Sequence, residues 1–436
     1  MPETLDLDCS PLRLEHEVDG DSVVRRVEAD GRVSETRRVL HGDSTGDPFA
    51  DWWSSFIGGR RPRRDRTREP LRYIDLFSSV GGLSLGATEA IEALGMRAVP
   101  LLAADVDGDA LSVYAQNLRP RQTLTESISG LVDYRVSGSG SEARFAYEPT
   151  IQDNRLGDIA GTVDLILAGP PCQGHSSLNN YSRHDDPKNL LYLAVPAVAV
   201  ATQAKHVVIE NVPNVVADKH GVVQTTIALL RGAGYRVTSG VIAADRMGWP
   251  QTRRRFFISA SLDSEPIDLK ALQTKLERPA LPVSWLLRPL LESLDPVELM
   301  HSVPRLSEEN QRRIEYLFAH DLRDLPNDIR PDCHKGGTTY SASYGRMAWD
   351  RPAPTITGGF LTPGRGRFVH PRRHRVLTPR EAARVQGFPD WYDFMIDGAQ
   401  STSRTQLGRW IGNAVPTILG ATATLSALGG QKITSE

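Results

Sequence analysis

Four short stretches carry residue types able to do covalent and proton chemistry. In AGPPCQGHSSLNN (168–180), Cys172 follows two prolines and an apolar run, VDLIL. Proline fixes the backbone and removes a donor, so the thiol is presented in one geometry. That suits a nucleophile, and it equally suits an inert thiol packed at a strand end. In VVIENVP (207–213), an apolar strand ends in Glu210-Asn211. A carboxyl beside buried apolar side chains has a raised pKa and can carry a proton near neutrality. In WPQTRRRFFI (249–258), alternation along a strand start puts Arg253 and Arg255 on one face. A structural ion pair between Glu210 and Arg255 is the plain alternative to a catalytic one. GNAVP (412–416) reads as a polar turn before a helix.

A fifth stretch, DLFSSVGGLSLG (75–86), follows a strand and opens a helix, and its glycines let backbone approach a ligand closely. Asp105 ends the next strand, where a carboxylate accepts from ribose hydroxyls in dinucleotide folds. Asp158, in LGDIAG, precedes VDLIL and can accept from an adenine amino group. Each aspartate alone reads as a cap. Together, at successive strand ends, they favour a cofactor that contains adenosine. The G-x-G-x-x-G of nicotinamide sites and the G-K-[ST] of P-loops are both absent.

These residues need a frame to converge. From Tyr73 onward, strands and helices alternate: YIDLF, SLGATEAIEALG, AVPLLAAD, DALSVYAQN, VDLILAG, LLYLAVPAVAVATQA, HVVIENV, VVQTTIALLRGAG and RRFFISAS. That rhythm predicts an α/β fold, a Rossmann-like, doubly wound and mainly parallel sheet. Ligands of such sheets bind beyond the carboxyl ends of the strands. Residues 262 to about 350 break the rhythm, and order returns in LTPREAARVQGFPD and RWIGNAVPTILGATATLSALG. Before Tyr73, SVVRRVEADGRVSETRRVL predicts a hairpin around Asp30-Gly31, and GGRRPRRDRTREP (58–70) reads as a basic linker.

Composition is that of a globular protein, with 436 residues and a formal net charge of −2. Any positive surface for nucleic acid must therefore be gathered locally. Three separated cysteines, Cys9, Cys172 and Cys333, argue against a disulfide framework and a zinc site. No signal peptide or membrane span is read, so the expected setting is intracellular and cytoplasmic.

DLFSSVGG, GPPCQ, ENV, QTRRR, LTPREAARVQGFPD and GNAVP, in this order, resemble the cytosine-5 DNA methyltransferases of the bacterial modification type. The resemblance covers roughly residues 73–262 and 350–430. It implies S-adenosylmethionine as methyl donor, Cys172 as nucleophile, Glu210 as the carboxyl at the target ring, and Arg253 and Arg255 as motif arginines. It places Phe77, Gly82, Asp105, Asp158, Leu190 and Asn413 beside the cofactor. It further implies a catalytic domain over 71–262, a small irregular target-recognition domain over 263–350, and C-terminal motifs over 351–436 whose last helix returns to the catalytic domain. Residues 1–70 stay outside it as an extension.

The implied partner is double-stranded DNA, with a cognate restriction endonuclease and action as a monomer. Arg305, Arg346 and the Gly336–Tyr344 tract are candidate base readers, and the polar loop 174–189 is expected to close over a flipped base. Three departures stand out: Ser79 for glycine, His175 for phenylalanine and Lys188 for arginine. Serine at 79 is expected to require a backbone that avoids positive φ. Two rival readings carry signatures of their own. A transfer-RNA enzyme of the same fold would carry Cys-Phe-Thr, whereas Cys333 precedes His334-Lys335. A non-catalytic DNA-binding regulator would have lost Cys172 or Glu210.

Overall fold

The structure, a computed structural model, describes residues 12–63, 65–171, 191–291, 298–332, 342–396 and 402–431. Three antiparallel strands open it: β1 (Leu12–Asp19), β2 (Ser22–Ala29) and β3 (Arg32–Val39). The expected hairpin is β2–β3, with Asp30 and Gly31 both at positive φ in its turn. Helix α1 (Pro48–Gly58) follows, started by the Asp47 side chain, which accepts from the Phe49 N–H, and by Pro48 in the first turn.

A seven-stranded sheet forms the centre. Its strands are β4 (Pro70–Leu76), β5 (Arg97–Ala104), β6 (Gln122–Leu124), β7 (Leu165–Ala168), β8 (His206–Asn211), β9 (Arg236–Ala243) and β10 (Arg254–Ser261). Their order is β9-β10-β8-β7-β4-β5-β6. Pairing is parallel from β8 to β6, and β10 runs antiparallel to both neighbours. This is the Rossmann-like α/β fold expected from the alternation. Strand order reverses between β4 and β7, which makes their carboxyl ends the crevice for a ligand.

The apolar runs arise because the strands are buried on both faces. Tyr73, Leu165, Leu167, Val208 and Phe257 face one core, while Ile74, Ile166, Val207, Ile209 and Ile258 face the other. Helix α2 (Gly82–Ala93) covers the first face, and against it lies the last helix, Thr417–Leu428. The two backbones nearly touch at Gly86, where a Cβ would come within 2.5 Å of the Thr417 carbonyl oxygen.

The N-terminal residues read as an extension are built into this first core. Trp52, Trp53 and Phe56 of α1 are buried in it, and the Trp53 ring meets Trp249 edge-on at 5.4 Å. Arg25 and Arg38 stack on Trp52 and both bind Glu89 of α2. The irregular stretch divides as well. Helix Leu269–Lys275 packs on β9, and Val283, Leu286 and Leu287 enter the main core. Ile314, Leu317, Leu325 and Val369 form a small core of their own around helix Glu308–Ala319.

Candidate active site

Register aligns the strand ends. Leu76, Ala104, Ala168 and Ile209 lie in one row across β4, β5, β7 and β8. Phe77, Asp105, Gly169 and Glu210 therefore leave the sheet side by side. A Cβ on Gly169 would sit 3.8 Å from both a Glu210 carboxyl oxygen and the Phe77 carbonyl oxygen. The absence of a side chain there keeps the crevice open between the two turns.

Glu210 is 12% exposed, and its Oε1 lies 2.8 Å from Arg255 Nε. Because β10 is antiparallel, its beginning falls at the carboxyl end of β8, which is how Arg255 reaches that carboxylate. Burial raises the Glu210 pKa, and Arg255, then Arg253, pull against that rise. Arg255 also donates to the Arg254 carbonyl oxygen. The Asn211 side chain donates to the Pro170 carbonyl oxygen at 3.3 Å and its own oxygen accepts from the Val212 N–H. The asparagine thus ties the end of β8 to the proline run that leads to residue 172. Cys172 itself, Leu190 and the loop 174–189 lie outside the described residues.

The two motif arginines part company. Arg253 is buried, and its guanidinium donates to the carbonyl oxygens of Ile356 at 2.5 Å and Gly412 at 3.1 Å. It fastens the GNAVP turn and the 350s segment to the sheet. Alternation had placed both arginines on one face, but β10 begins only at Arg254, so the alternation does not reach Arg253.

The rest of the C-terminal motifs serve the same closure. In LTPREAARVQGFPD, Thr378 and Glu381 form a capping box, and Arg375 grips Glu381 with two bonds of 2.8 Å. Buried Gln386 donates to the carbonyl oxygens of Ile411, just before the GNAVP turn, and Ala414, within it, and accepts from Gln251. The turn then abuts the glycine-rich loop, since a Cβ on Gly82 would lie 2.9 Å from the Val415 carbonyl oxygen. Asn413 is exposed beside it.

On the other side of the crevice, Asp105 joins two turns. One carboxylate oxygen accepts from the Ser79 N–H at 2.8 Å, the other from the Asp107 N–H at 2.8 Å. Each oxygen keeps a further lone pair for an incoming hydroxyl. Burial raises the Asp105 pKa against these bonds. Phe77 and Ser79 both adopt positive φ, 59° and 46°. The expectation that serine keeps negative φ here is thus overturned. The charge-assisted bond from the Ser79 N–H to Asp105 holds the left-handed backbone that glycine would take without steric cost. Val106, which sequence reasoning passed over, is 73% exposed and offers an apolar face beside Asp105. Asp158 is exposed at the end of the short helix Asn154–Gly157.

Beneath the turn, Asp75 is buried and bonded to Ser84 Oγ at 2.6 Å, which lies 2.7 Å from the Tyr114 hydroxyl. Burial is the main cause that pushes Asp75 up to about 8. Its folded pKa exceeds the unfolded value, so the folded state holds the extra proton. Stability linked to Asp75 is complete below pH 3.8 and declines until pH rises through about 8. Asp75→Asn keeps an acceptor for Ser84 and removes the titration. Its melting temperature is expected to fall less than the wild-type value between pH 6 and pH 9, as scanning calorimetry would show.

The profile of the family described as C-5 cytosine-specific DNA methylase matches residues 71–426. The chain belongs to this family. Among curated relatives, it is 38% identical over 411 residues to a protein of Bacillus subtilis named Type II methyltransferase M1.BsuMI, covering 92% of each chain. It is 32% identical to the Type II methylase M.HgiDII of Herpetosiphon aurantiacus, over 80% of this chain and 92% of that one. A solved structure from E. coli, described as a putative DNA modification methyltransferase encoded within a prophage, superposes with a TM-score of 0.55 over 81% of this chain and 97% of that chain. At 24% identity that likeness speaks for the fold. The chain thus stands in the C-5 cytosine-specific DNA methylase family beside bacterial relatives of Type II name.

Proposed function

We propose that the chain transfers a methyl group from S-adenosylmethionine to C5 of a cytosine swung out of a specific short duplex sequence. The observation that carries this reading is the Glu210–Arg255 pair, at the same sheet edge as the proline run that presents Cys172. The residues fit the cofactor: Asp105 keeps acceptor capacity and Val106 offers an exposed apolar face beside it. Phe77, Gly82, Asp105, Asp158, Leu190 and Asn413 would hold it, and its sulfonium would supply the methyl group.

Cytosine C5 is a weak nucleophile. Addition of the Cys172 thiolate to C6 makes C5 enamine-like, so one hard step becomes two easier ones. Glu210 bears the proton at N3 while charge develops, and Arg255 holds O2. After C5 takes the methyl group, a base removes the C5 proton, the C6–S bond breaks and the thiolate is released. The Asn211 bond to the Pro170 carbonyl oxygen holds the backbone that leads to the thiol. The target must leave the stack, at about a few kcal/mol. The Type II names of the bacterial relatives support service beside a restriction endonuclease. Action as a monomer goes with this reading, since each strand of a short site can be methylated in turn.

The test is expression in a host without cytosine methylation, followed by bisulfite sequencing of its plasmid, beside Cys172→Ala. Protected cytosines in one short motif are expected, and their loss in the variant. Full conversion of the wild-type plasmid would overturn the reading.

A further inference from the structure

The helix Arg404–Asn413 brings a cation to the turn after β5 that the methyl-transfer reading does not use. Arg409 lies one helical turn before Asn413, so the two share a face. Its guanidinium donates to an Asp107 carboxylate oxygen at 2.6 Å, and Trp410 Nε1 donates to the same oxygen at 2.9 Å. Earlier on the helix, Gln406 donates to Asp109 at 2.6 Å. The other Asp107 oxygen caps helix Gly108–Leu118 by accepting from the Ala110 N–H. The Asp107 N–H in turn donates to Asp105 at 2.8 Å. Arg409, Asp107 and Asp105 thus form one chain of contacts from the C-terminal helix to the acceptor at the end of β5.

The charge of Arg409 counts at that acceptor. Burial raises the Asp105 pKa, and the like charge of Asp107 adds to the rise. The N–H groups of Asp107 and Ser79 oppose it, and so does the Arg409 guanidinium. Asp75, beneath the turn, is a third carboxyl, near enough for it and Asp105 to repel each other. A hydroxyl donates more strongly to a carboxylate than to a protonated acid, one of whose oxygens has itself become a donor.

For folding, the pair matters little. Arg409 is 56% exposed and Asp107 25%, and exposed pairs of this kind contribute little to stability. The charge is placed where it acts on Asp105.

We propose that Arg409 is a positioning residue for the cofactor: it supplies the positive charge that lets the Asp105–Asp107 turn meet ribose hydroxyls as a carboxylate. The inference rests on the methyl-transfer reading for the identity of the cofactor. It adds a residue that acts through Asp105.

Binding of S-adenosylmethionine to the full chain, to Arg409→Gln and to Arg409→Lys would be measured by calorimetry from pH 5 to pH 9. Melting temperatures near wild type are expected for both variants, since the pair is exposed. Arg409→Gln should match wild type at pH 9, where Asp105 is ionised in both. It should fall behind as pH drops, by about threefold or more at pH 5, with a limit of tenfold for each unit by which the Asp105 pKa rises. Arg409→Lys keeps the charge and should recover most of the affinity. In an Asp105→Asn background, which has no carboxylate to hold ionised, Arg409→Gln should cost nothing further.

A loss equal at every pH, a loss shared by Arg409→Lys, or one that persists beside Asp105→Asn would make Arg409 a mechanical clamp and overturn the proposal. Equal affinity of Arg409→Gln and wild type throughout would overturn it too and leave the methyl-transfer reading intact. A wild type that binds no S-adenosylmethionine at any pH would instead sink that reading, and the proposal with it.

Discussion

Glu210→Gln is expected to lower single-turnover methyl transfer by about 10²–10⁴-fold, the range for loss of a positioned proton donor. Glutamine keeps the shape and an oxygen that can accept from Arg255, so duplex binding and thermal stability should stay near wild type. What disappears is the titratable proton. In the wild type, burial holds the Glu210 pKa above the ordinary carboxylate range, against the pull of Arg255 and Arg253. The sign of the pH effect follows. The protonated form is fully present below the ordinary carboxylate pKa and is lost as pH rises through the raised one. The wild-type rate should therefore carry a falling limb set by Glu210, opposed by the gain in Cys172 thiolate. The variant should retain only the thiolate limb. A rate within fivefold of wild type would remove Glu210 from the chemistry.

Arg253→Ala and Arg255→Ala should fail in opposite ways, although the sequence sets them two residues apart. Arg253→Ala leaves buried carbonyl oxygens at Ile356 and Gly412 without their donor. Bonds to a charged donor contribute about 1.5–3 kcal/mol each, so the loss should be about 3 kcal/mol or more in chemical denaturation. Arg253→Lys should not restore it, because a point charge cannot span two separate carbonyl groups as the guanidinium does. Arg255 is 14% exposed at the rim and binds Glu210. Arg255→Ala should fold with near wild-type stability and lose about 10²-fold in rate, as for removal of one donor to a developing charge. The reverse pattern, an inactive but stable Arg253 variant beside an unfolded Arg255 variant, would contradict this division.

Most of the sheet was legible because its strands are buried on both faces and therefore read as apolar runs. Strand β9 escaped notice for the opposite reason. RVTSGVIA lies at the edge, is half exposed and carries Gly240, so neither an apolar run nor strict alternation marks it. Helix α1 was missed although Asp47-Pro48 is a readable start signal, because a single short helix ahead of the alternating stretch carries no rhythm of its own. At the site, residue types announced Glu210 and Arg255, whose partnership spans two strands adjacent in the sheet. Gln386 and Asn211 gave weaker signals, since an amide that satisfies backbone carbonyl groups differs in no way, on paper, from one on a surface. Ser79 shows the limit of a rule on φ: a neighbour's carboxylate decides what the backbone does.

The packing of the last helix on α2 dictates when in synthesis the enzyme can come into being. Tyr392 donates to the Val80 carbonyl oxygen across 312 residues of sequence, and Gly86 receives the Thr417 backbone from still further along. Such distant pairings come late in folding, since loop closure must precede them. While the chain is still on the ribosome, the glycine-rich loop has no GNAVP turn against it, and α2 shows a bare apolar side. Nascent chains should thus be inert and in need of protection from one another until synthesis has passed Thr417 and the helix that follows it. On the methyl-transfer reading, a chain cut short before that helix leaves DNA unmarked.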